Sequence, residues 1–347
     1  MNDKKIILSL DRIMINQKEI LIEKLNNIFS EAKYFYGSEK LKKDISFYEK
    51  ILKELNRKKY LKKYMEPLLE KQNLKYYSEI LKNFSEIDYV LMIGGIYYSE
   101  EFIKLVKEKN SKIRFILFLW DKFSSEKIKE LKNSYDYIYT FEKIDAVENS
   151  IKWRPSFYIE KEENIQKDID VYFLGENRDK ERYQYICELY EFCKKNNLKE
   201  NIRLFSKKRM KVANSKILTY ERVPYAENIR NIKKARVTFE KNIKNQNGLS
   251  LRSLECLGYR TKLITTNKDI KNYDFYIPEN IWIVDKIDDI KKIPIEFFKS
   301  EYKEIDNKIL EKYSFEGFIN EIFCGIEKET NYELSSKLKE YLYKFYF

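Results

Sequence analysis

Short apolar runs alternate with longer charged segments along most of the chain, and this alternation restricts the fold more than any other feature. The clearest runs are KIILSL at Lys5–Leu10, DYVLMI at Asp88–Ile93 and KIRFILFLW at Lys112–Trp120. Apolar runs of this length are typical of strands that are buried on both faces of a parallel sheet. The segments between them carry apolar residues at helical spacing, so the sequence predicts sheets covered by helices on both faces.

The remaining secondary structure follows from the same pattern. In the first half it predicts helices within 17–84, at 99–108 and at 127–131, and a strand at 135–140. In the second half it predicts strands at Ile169–Leu174, Asn201–Ser206, Arg236–Glu240, Lys262–Thr265 and Ile281–Val284, with helices at 178–195, Ala226–Lys234 and beyond Pro294.

The segment Trp153-Arg154-Pro155 interrupts the alternation and marks a linker. A chain of 347 residues exceeds one ordinary hydrophobic core. We therefore expect an α/β fold with two Rossmann-like domains, at 1–155 with a helical insertion and at 156–300. A helical tail at 301–347 is expected to pack back on the first domain.

The composition excludes several kinds of site. The chain has no histidine, which excludes Ser-His and Cys-His catalysis, and none of its four cysteines has Cys-x-x-Cys spacing. The net charge is +12, but the lysines alternate with acidic residues and no nucleic-acid-binding motif is visible. We expect no metal, no nucleic-acid partner and a cytoplasmic protein, because the start MNDKKIILSL is too short for the apolar core of a signal peptide.

The segment NQNGLSLRSLECLGYRTKLITTN, at Asn245–Asn267, carries the strongest candidate site. Leucines at 251, 254 and 257 form one apolar stripe, so a short helix is expected to pack on the sheet through them. Gly258 is expected to end that helix in the left-handed conformation. The final strand-like run ends in Thr265-Thr266-Asn267, to which the pattern alone assigns no role.

The start of this predicted helix is an anion-binding candidate. Gly248 and Ser250 lie where unpaired N–H groups and the helix dipole favour a negative ligand. Arg252 could bind a phosphate, and Glu255 could accept hydrogen bonds from ribose hydroxyls. The alternative is that Ser250 only caps the helix and that Arg252 and Glu255 form a surface ion pair.

A second candidate follows the first strand of the second half. Gly175, Asn177 and Arg178 form a loop of the kind that binds ligands at strand ends, and Arg182 comes four residues later. Lys207, with Lys208 and Arg209, follows the next strand and could face the same crevice. The alternatives are a plain strand–helix turn and a solvated basic loop.

Acidic residues near strand ends in the first half are candidates for a catalytic base. Gly94-Gly95 and Trp120-Asp121 both end predicted strands, and Asp121 is our choice of base. Glu100 and Asp145 are its rivals. The alternative for each is an ordinary surface carboxylate.

The candidate segment resembles a bacterial family of lipopolysaccharide and capsule biosynthesis proteins. That family carries a Gln-x-Gly-Leu-x-x-Arg-x-x-Glu core, then Leu-Gly, then Lys-Leu-Ile-Thr-Thr-Asn. Here the matching positions are Gln246, Gly248, Leu249, Arg252, Glu255, Leu257-Gly258 and Lys262–Asn267. The segments FLWDKF at 118–123, YDYIYTFEKIDA at 135–146 and YFLGENRDKERY at 172–183 are similar to further family segments, so the match spans 85–300. Glu240-Lys-Asn-Ile stands where the family has an acidic residue followed by proline, and Phe141-Glu142 where it has Phe-Asp.

The resemblance implies a glycosyltransferase of GT-B architecture, in which two Rossmann-like domains face a cleft. It implies that the second domain binds a nucleotide-sugar and the first a glycan acceptor, with the donor phosphates at Gly248, Ser250 and Arg252 and the ribose at Glu255. Helix N-termini and basic side chains would replace a metal in neutralising the leaving diphosphate. The tail at 335–347 mixes Lys with Tyr and Phe, which would suit contact with the anionic inner membrane. The alternatives are a non-catalytic nucleotide- or sugar-phosphate-binding partner in a glycan assembly complex and a sugar-nucleotide epimerase.

Overall fold

The computed structural model describes residues 1–10, 14–35, 81–94, 98, 100–161, 165–207, 214–243 and 246–329. Some predicted features lie outside these ranges: the helices expected within 36–80, Gly95, Ser99, Lys208, Arg209, Asn245 and the tail beyond 329. The chain divides into two compact units, the first ending at Arg154 and the second beginning at Pro155. Each unit is built around its own sheet.

The sheet of the first unit has six parallel strands in the order β2-β1-β3-β4-β5-β6. The strands are β1 (Lys5–Leu10), β2 (Glu31–Tyr34), β3 (Tyr89–Ile93), β4 (Arg114–Leu119), β5 (Tyr137–Thr140) and β6 (Lys152–Trp153). The α-helices described in this unit are α1 (Lys18–Asn26), α2 (Glu100–Lys109), α3 (Ser125–Lys132) and α4 (Lys143–Asn149), with 3-10 turns at Ile15–Gln17 and Lys82–Phe84.

The sheet of the second unit also has six parallel strands, in the order β12-β11-β10-β7-β8-β9. The strands are β7 (Ile169–Glu176), β8 (Glu200–Phe205), β9 (Leu218–Thr219), β10 (Ala235–Glu240), β11 (Lys262–Thr265) and β12 (Ile281–Ile283). The α-helices described are α5 (Lys180–Lys195), α6 (Tyr225–Lys234), α7 (Leu251–Gly258), α8 (Ile295–Lys299), α9 (Asn307–Lys312) and α10 (315–329). Shorter 3-10 turns span Ser215–Ile217, Lys268–Asn272 and Ile287–Lys292.

The strand order of the second unit creates a topological switch point between β7 and β10. From β7 the chain proceeds outward to β8 and β9 on one side, whereas from β10 it proceeds to β11 and β12 on the other. Connections that leave adjacent strands in opposite directions open a crevice beyond the carboxyl ends of those strands. In this unit the crevice is bordered by the loop after β7 and the loop that leads into α7.

Apolar side chains cover both faces of this sheet. On β7, Tyr172 joins one core cluster with Leu254 and Leu257 of α7, while Phe173 joins the opposite cluster with Phe239 of β10. Leu254 and Leu257 therefore fix this helix on the sheet, as their spacing predicts, whereas Leu251 is only partly buried and is in neither cluster. None of the helices in the described ranges combines the length and apolar character needed to cross a membrane.

The expected α/β class with two Rossmann-like sheets and a helical C-terminal region is confirmed. The unpredicted strands are β2, β6 and β9, whose sequences EAKY, KW and LT contain no apolar run. Helix α4 was also unpredicted. The prediction that Gly175 ends β7 is wrong, because Gly175 pairs with Leu204 and the strand continues to Glu176.

The predicted role of Gly258 is also wrong. Gly258 is the last helical residue of α7, and the left-handed residue is Arg260, with φ of 50°. A Cβ atom at Gly258 would lie 2.8 Å from the ring of Tyr158 and 2.9 Å from the carbonyl oxygen of Glu160. Glycine is therefore required here by close packing rather than by backbone conformation.

Candidate anion-binding site at the strand ends

Helix α7 begins with unpaired backbone N–H groups at the edge of the crevice. Ser250 is its N-cap, and the Oγ of Ser250 accepts a hydrogen bond from the backbone N–H of Ser253 at 3.3 Å. The N–H groups of Leu251 and Arg252 precede the first helical hydrogen bonds, and no residue in the described ranges accepts from them. The cap itself is an uncharged hydroxyl, and the acidic group beside the first turn is Glu240, which accepts from the Ser253 hydroxyl at 2.8 Å.

The loop that leads into α7 is held in place by the Thr-Thr-Asn run after β11. The Oγ1 atom of Thr266 accepts from the backbone N–H of Asn242 at 2.9 Å. The buried amide of Asn267 donates to the carbonyl oxygens of Asn247 at 3.1 Å and Gly248 at 3.3 Å. Thr266 and Asn267 therefore have a structural role that the sequence pattern did not assign. They hold in place the loop that leads to the N-terminus of α7.

Arg252 joins the two strands that flank the switch point. Its guanidinium group donates to the carbonyl oxygen of Leu174 on β7 at 2.5 Å and to that of Phe239 on β10 at 3.3 Å. The guanidinium carbon also lies 5.6 Å from the ring centre of Phe173. Its Nε atom is buried and has no hydrogen-bond partner among the residues that the structure describes. The side chain is therefore fixed in position with part of its hydrogen-bonding capacity unused.

Arg182 brings a second guanidinium group to the same crevice. It lies in the first turn of α5, where its backbone N–H donates to the cap residue Asp179 at 2.7 Å. Its Nη2 donates to the carbonyl oxygen of Lys241, just beyond β10, at 2.9 Å. Burial, followed by the charges of Arg178 and Arg252, lowers the pKa of Arg182. Burial is the main cause of this shift, and the charges of Asp179 and Glu240 oppose the effect of the two arginines.

Glu240 is a charged residue of this region that the sequence did not single out. It is buried at the end of β10, and its Oε2 accepts from the hydroxyls of Ser253 and Thr265, both at 2.8 Å. Its Oε1 is buried and has no hydrogen-bond partner within the described ranges. The charge of Glu240 raises the pKa of Arg182, whereas the charges of Arg178 and Arg252 lower it. Glu240 could have been identified from the register of the parallel strands, which places it directly beside Thr265.

Glu255 lies inside α7 and is almost completely buried. It accepts a hydrogen bond from the hydroxyl of Tyr225 at 2.7 Å. Burial raises the pKa of Glu255, although the Tyr225 hydrogen bond and the charge of Arg252 act against that rise. Burial first, and then the Glu255 charge, raise the pKa of Tyr225, so Tyr225 remains a protonated donor. The alternative of a surface ion pair between Arg252 and Glu255 is wrong, since Glu255 is buried and Arg252 bonds to strand carbonyls.

The candidate residues after β7 and β8 form a more exposed edge of the crevice. Both Arg178 and Lys207 pair with Glu176, at 3.9 Å and 2.9 Å, and both are largely exposed. The Lys207 hydrogen bond is the main reason that the pKa of Glu176 is lowered. The backbone N–H of Asn177 donates to the carbonyl oxygen of Phe205 at 2.8 Å, which ties this loop to the end of β8.

Three further candidate residues have local structural contacts. The backbone N–H of Gln246 donates to the carbonyl oxygen of Ile243 at 3.2 Å. Leu249 is buried in the core cluster that contains the α7 leucines, so it anchors the loop. A Cβ atom at Gly175 would lie 2.7 Å from the ring of Phe173, so glycine leaves room for that ring under Arg252.

The acidic candidates of the first unit lie at three different places in the chain. Asp121 is exposed just after β4, and Glu100 is exposed at the start of α2. Asp145 is buried on α4 and lies 3.6 Å from the Nζ atom of Lys122. In the described part of the chain no cluster of three or more Cys, Asp or Glu residues could hold a metal ion.

Comparisons with known proteins show what the fold resembles. No family model and no curated protein matches the sequence. The N-terminal domain of Candida albicans trehalose-6-phosphate phosphatase has a TM-score of 0.52 and 14% identity, over 94% of this chain and 97% of that one. UDP-N-acetylglucosamine 2-epimerase from Rickettsia bellii gives 0.41 and 11% over 94% and 96%, and TarM gives 0.45 and 13% over 72% and 56%. The first likeness shows a shared fold along nearly the whole of both chains.

Proposed function

We propose that the second unit binds the diphosphate of a nucleotide-sugar and that the protein is a metal-independent glycosyltransferase of the GT-B type. The observation that carries this proposal is the start of α7 at the switch point. There the N–H groups of Leu251 and Arg252 have no acceptor in the described part of the chain, and the side chains of Arg252 and Arg182 bind carbonyl oxygens at the ends of β7 and β10. Doubly wound sheets bind phosphates at such a place, because strand-end loops, helix N-termini and basic side chains converge on it.

The proposed diphosphate contacts follow from these positions. The N–H groups at the start of α7 would bind phosphate oxygens, with Gly248 and Ser250 allowing close approach of the backbone. Arg182 and Arg252 are held by carbonyl oxygens before any ligand arrives, so they would not need to reorganise as charge develops on the leaving diphosphate. Arg178 and Lys207, at the exposed edge, would attract the anionic donor.

Glu255 is the proposed acceptor for the ribose hydroxyls. It lies one turn beyond Arg252 on the same helix, so a nucleotide bound by its phosphates at the helix start would extend along this turn. One Glu255 oxygen is already engaged by Tyr225 at 2.7 Å. In this proposal Tyr225 positions the carboxylate rather than contacting the nucleotide.

The transfer reaction and its setting rest on the sequence resemblance through Gln246, Arg252 and Glu255. We propose that the sugar is moved to a glycan or lipid-linked acceptor in lipopolysaccharide or capsule assembly, and that the protein works in the cytoplasm. Asp121 stays our proposed base. A nucleotide-binding partner without catalysis is the alternative.

The test is a screen of the purified chain against UDP-, GDP-, CMP- and dTDP-sugars. We expect one of them to raise the melting temperature and to release nucleoside diphosphate when an acceptor extract is added. Arg252→Ala should abolish both effects, whereas Arg236→Ala, at the amino end of β10, should abolish neither. Stabilisation without turnover would favour the binding partner, and interconversion of the free donor would favour an epimerase. No response to any nucleotide would refute the proposed site.

A further inference from the structure

A buried carboxylate lies against the first turn of α7, where the diphosphate is proposed to bind. The Oε2 atom of Glu240 accepts a hydrogen bond at 2.8 Å from the hydroxyl of Ser253, which is the third residue of the helix. Glu240 is only 5% exposed. Solvent and salt screen a buried charge much less than an exposed one. Glu240 therefore places a weakly screened negative charge beside the helix turn that carries the N–H groups of Leu251 and Arg252.

The hydrogen bonds around Glu240 are those of an ionised carboxylate. The hydroxyl of Thr265 also donates to Oε2 at 2.8 Å, while the Thr265 oxygen accepts from the backbone N–H of Asn267 at 3.0 Å. A protonated carboxyl group would be a donor, whereas here two hydroxyl donors converge on the same oxygen. The charge of Glu240 also raises the pKa of Arg182. Glu240 is therefore a fixed anion beside the proposed diphosphate site.

Two other carboxylates near the crevice are bonded to different elements. Asp179 caps α5, where it accepts from the backbone N–H of Arg182 at 2.7 Å. Glu255 lies one turn further along α7 and accepts from Tyr225 at 2.7 Å. The guanidinium groups of Arg182 and Arg252 are held by strand-end carbonyl oxygens. The start of α7 thus combines donors and cations that attract an anion with one buried acid that repels it.

A nucleotide-sugar and the nucleoside diphosphate that it leaves behind differ in charge. In the nucleotide-sugar both phosphates are esterified, so neither has a second ionisation. Loss of the sugar leaves a terminal phosphate, whose second ionisation at about pH 6 gives the free diphosphate about one further negative charge near neutral pH. A fixed anion beside the site therefore repels the product more strongly than the substrate.

We propose that Glu240 lowers the affinity for the free nucleoside diphosphate more than the affinity for the nucleotide-sugar, and so promotes product release. The proposal rests on the proposed function, because it requires a diphosphate at the start of α7. A helix N-terminus and two arginines alone would hold the more highly charged product most tightly, and slow product release limits turnover in many enzymes. Glu240 offsets this preference, while its hydrogen bonds to Ser253 and Thr265 hold the helix start on the sheet.

The experiment is titration calorimetry near neutral pH with matched pairs of ligands: UDP-glucose and UDP, GDP-mannose and GDP, and dTDP-glucose and dTDP. The variant is Glu240→Gln, whose side-chain oxygen can still accept from both hydroxyls, while the amide nitrogen replaces the buried Oε1. For the pair that binds, we expect Glu240→Gln to bind the diphosphate about thirtyfold more tightly and the nucleotide-sugar about tenfold more tightly. The ratio of the two Kd values should therefore shift about threefold towards the product. Contacts with the sugar cancel in this comparison, because they are the same in both proteins.

Two further variants separate the charge of Glu240 from its structural role. Glu200→Gln removes an acid that pairs with Lys194 at the amino end of β8, at the opposite ends of the strands, and should leave both Kd values unchanged. Glu240→Ala removes the charge together with both hydrogen bonds. It should therefore bind both ligands more weakly than Glu240→Gln does and have a lower melting temperature.

Three results would overturn this inference alone. Equal changes for product and nucleotide-sugar would show that Glu240 does not distinguish them. Weaker binding of both by Glu240→Gln, with a lower melting temperature, would make Glu240 a structural residue only. The same tightening in Glu200→Gln would be an effect of net charge. If neither the wild type nor Glu240→Gln binds any of these ligands, the proposed function itself fails, and this inference fails with it.

Discussion

The guanidinium group of Arg252 lies 2.5 Å from the carbonyl oxygen of Leu174, and this hydrogen bond ties α7 to the strand on the other side of the switch point. A second bond from the same group reaches Phe239 on β10 at 3.3 Å. The residue proposed to bind phosphate is therefore also a structural link between two strand ends. Both the stability of the fold and the affinity for a nucleotide should therefore depend on Arg252.

Arg252→Ala should lower both the free energy of unfolding and the affinity for a nucleotide. Hydrogen bonds that involve a charged group contribute about 1.5–3 kcal/mol, so we expect losses of that order in the free energy of unfolding and in nucleotide binding. Urea denaturation and titration calorimetry measure the two effects separately. Arg252→Lys keeps the charge without the two-pronged geometry, so it should recover part of the affinity and little of the stability.

Arg236→Ala is the matched control for Arg252. Arg236 lies at the amino end of β10, whereas Arg252 binds near its carboxyl end. Arg236 pairs with Asp170 and Glu301. Its loss should leave nucleotide affinity unchanged. If Arg252→Ala lowers stability but binds nucleotide as tightly as the wild type, Arg252 is a structural residue only.

The buried carboxyl group of Glu255 should make stability depend on pH. Burial raises the pKa of Glu255 in the folded chain above the ordinary value of 4.5, which applies to the unfolded chain. At pH values between the unfolded and the folded pKa, the folded chain therefore binds more protons than the unfolded chain. The Glu255 contribution to stability is therefore complete below pH 4.5 and is lost as the pH rises through the folded pKa. Glu255→Gln does not titrate, so its stability relative to the wild type should increase across this window and then level off.

Urea unfolding of both proteins from about pH 4 to about pH 8 measures this difference. Tyr225→Phe provides the internal control. It removes the 2.7 Å hydrogen bond that favours the Glu255 carboxylate, so the pH-dependent window should extend further upward. A constant difference between Glu255→Gln and the wild type at every pH would contradict the raised pKa.

Gly258→Ala should destabilise the second unit through overpacking. The added Cβ would lie 2.8 Å from the ring of Tyr158 and 2.9 Å from the carbonyl oxygen of Glu160. Overpacking of this kind costs about 1–3 kcal/mol. In a Tyr158→Leu background the cost should be smaller, because one of the two contacts is relieved. Equal cost in both backgrounds would mean that the ring is not the limiting contact.

The sequence was sufficient to predict the sheets but not all of the site. Buried parallel strands such as β3 and β4 have long apolar runs, whereas β6 and β9 have only two residues each and no such run. The start of α7 at its Ser250 cap was predictable because helix caps act locally. The roles of Glu240 and Tyr225 were not visible, since their partners Thr265 and Glu255 come from elements distant in sequence.

Asn267 provides the last prediction, because it connects the end of β11 to the loop before α7, where we propose that the diphosphate binds. Its amide donates to the carbonyl oxygens of Asn247 and Gly248, while its Oδ1 accepts from the backbone N–H of Asp269 at 3.0 Å. Asn267→Asp keeps the acceptor but places a carboxylate oxygen against two carbonyl oxygens. We expect nucleotide affinity to fall about tenfold, the equivalent of one or two lost hydrogen bonds, and the amides of the loop to exchange faster with solvent.

The matched control for this change is Asn272→Asp. Asn272 lies on the same 3-10 turn as Asp269, is exposed and makes no contact with the loop in the described ranges. It adds the same negative charge and loses only the 3.4 Å hydrogen bond to the Asp269 carboxylate, not one to the loop. Calorimetry should therefore give nearly wild-type affinity. Equal loss in both variants would assign the effect to charge. A loss confined to Asn267→Asp, together with faster exchange at Gly248 and Leu251, would assign it to the hydrogen bonds that hold the helix start in position.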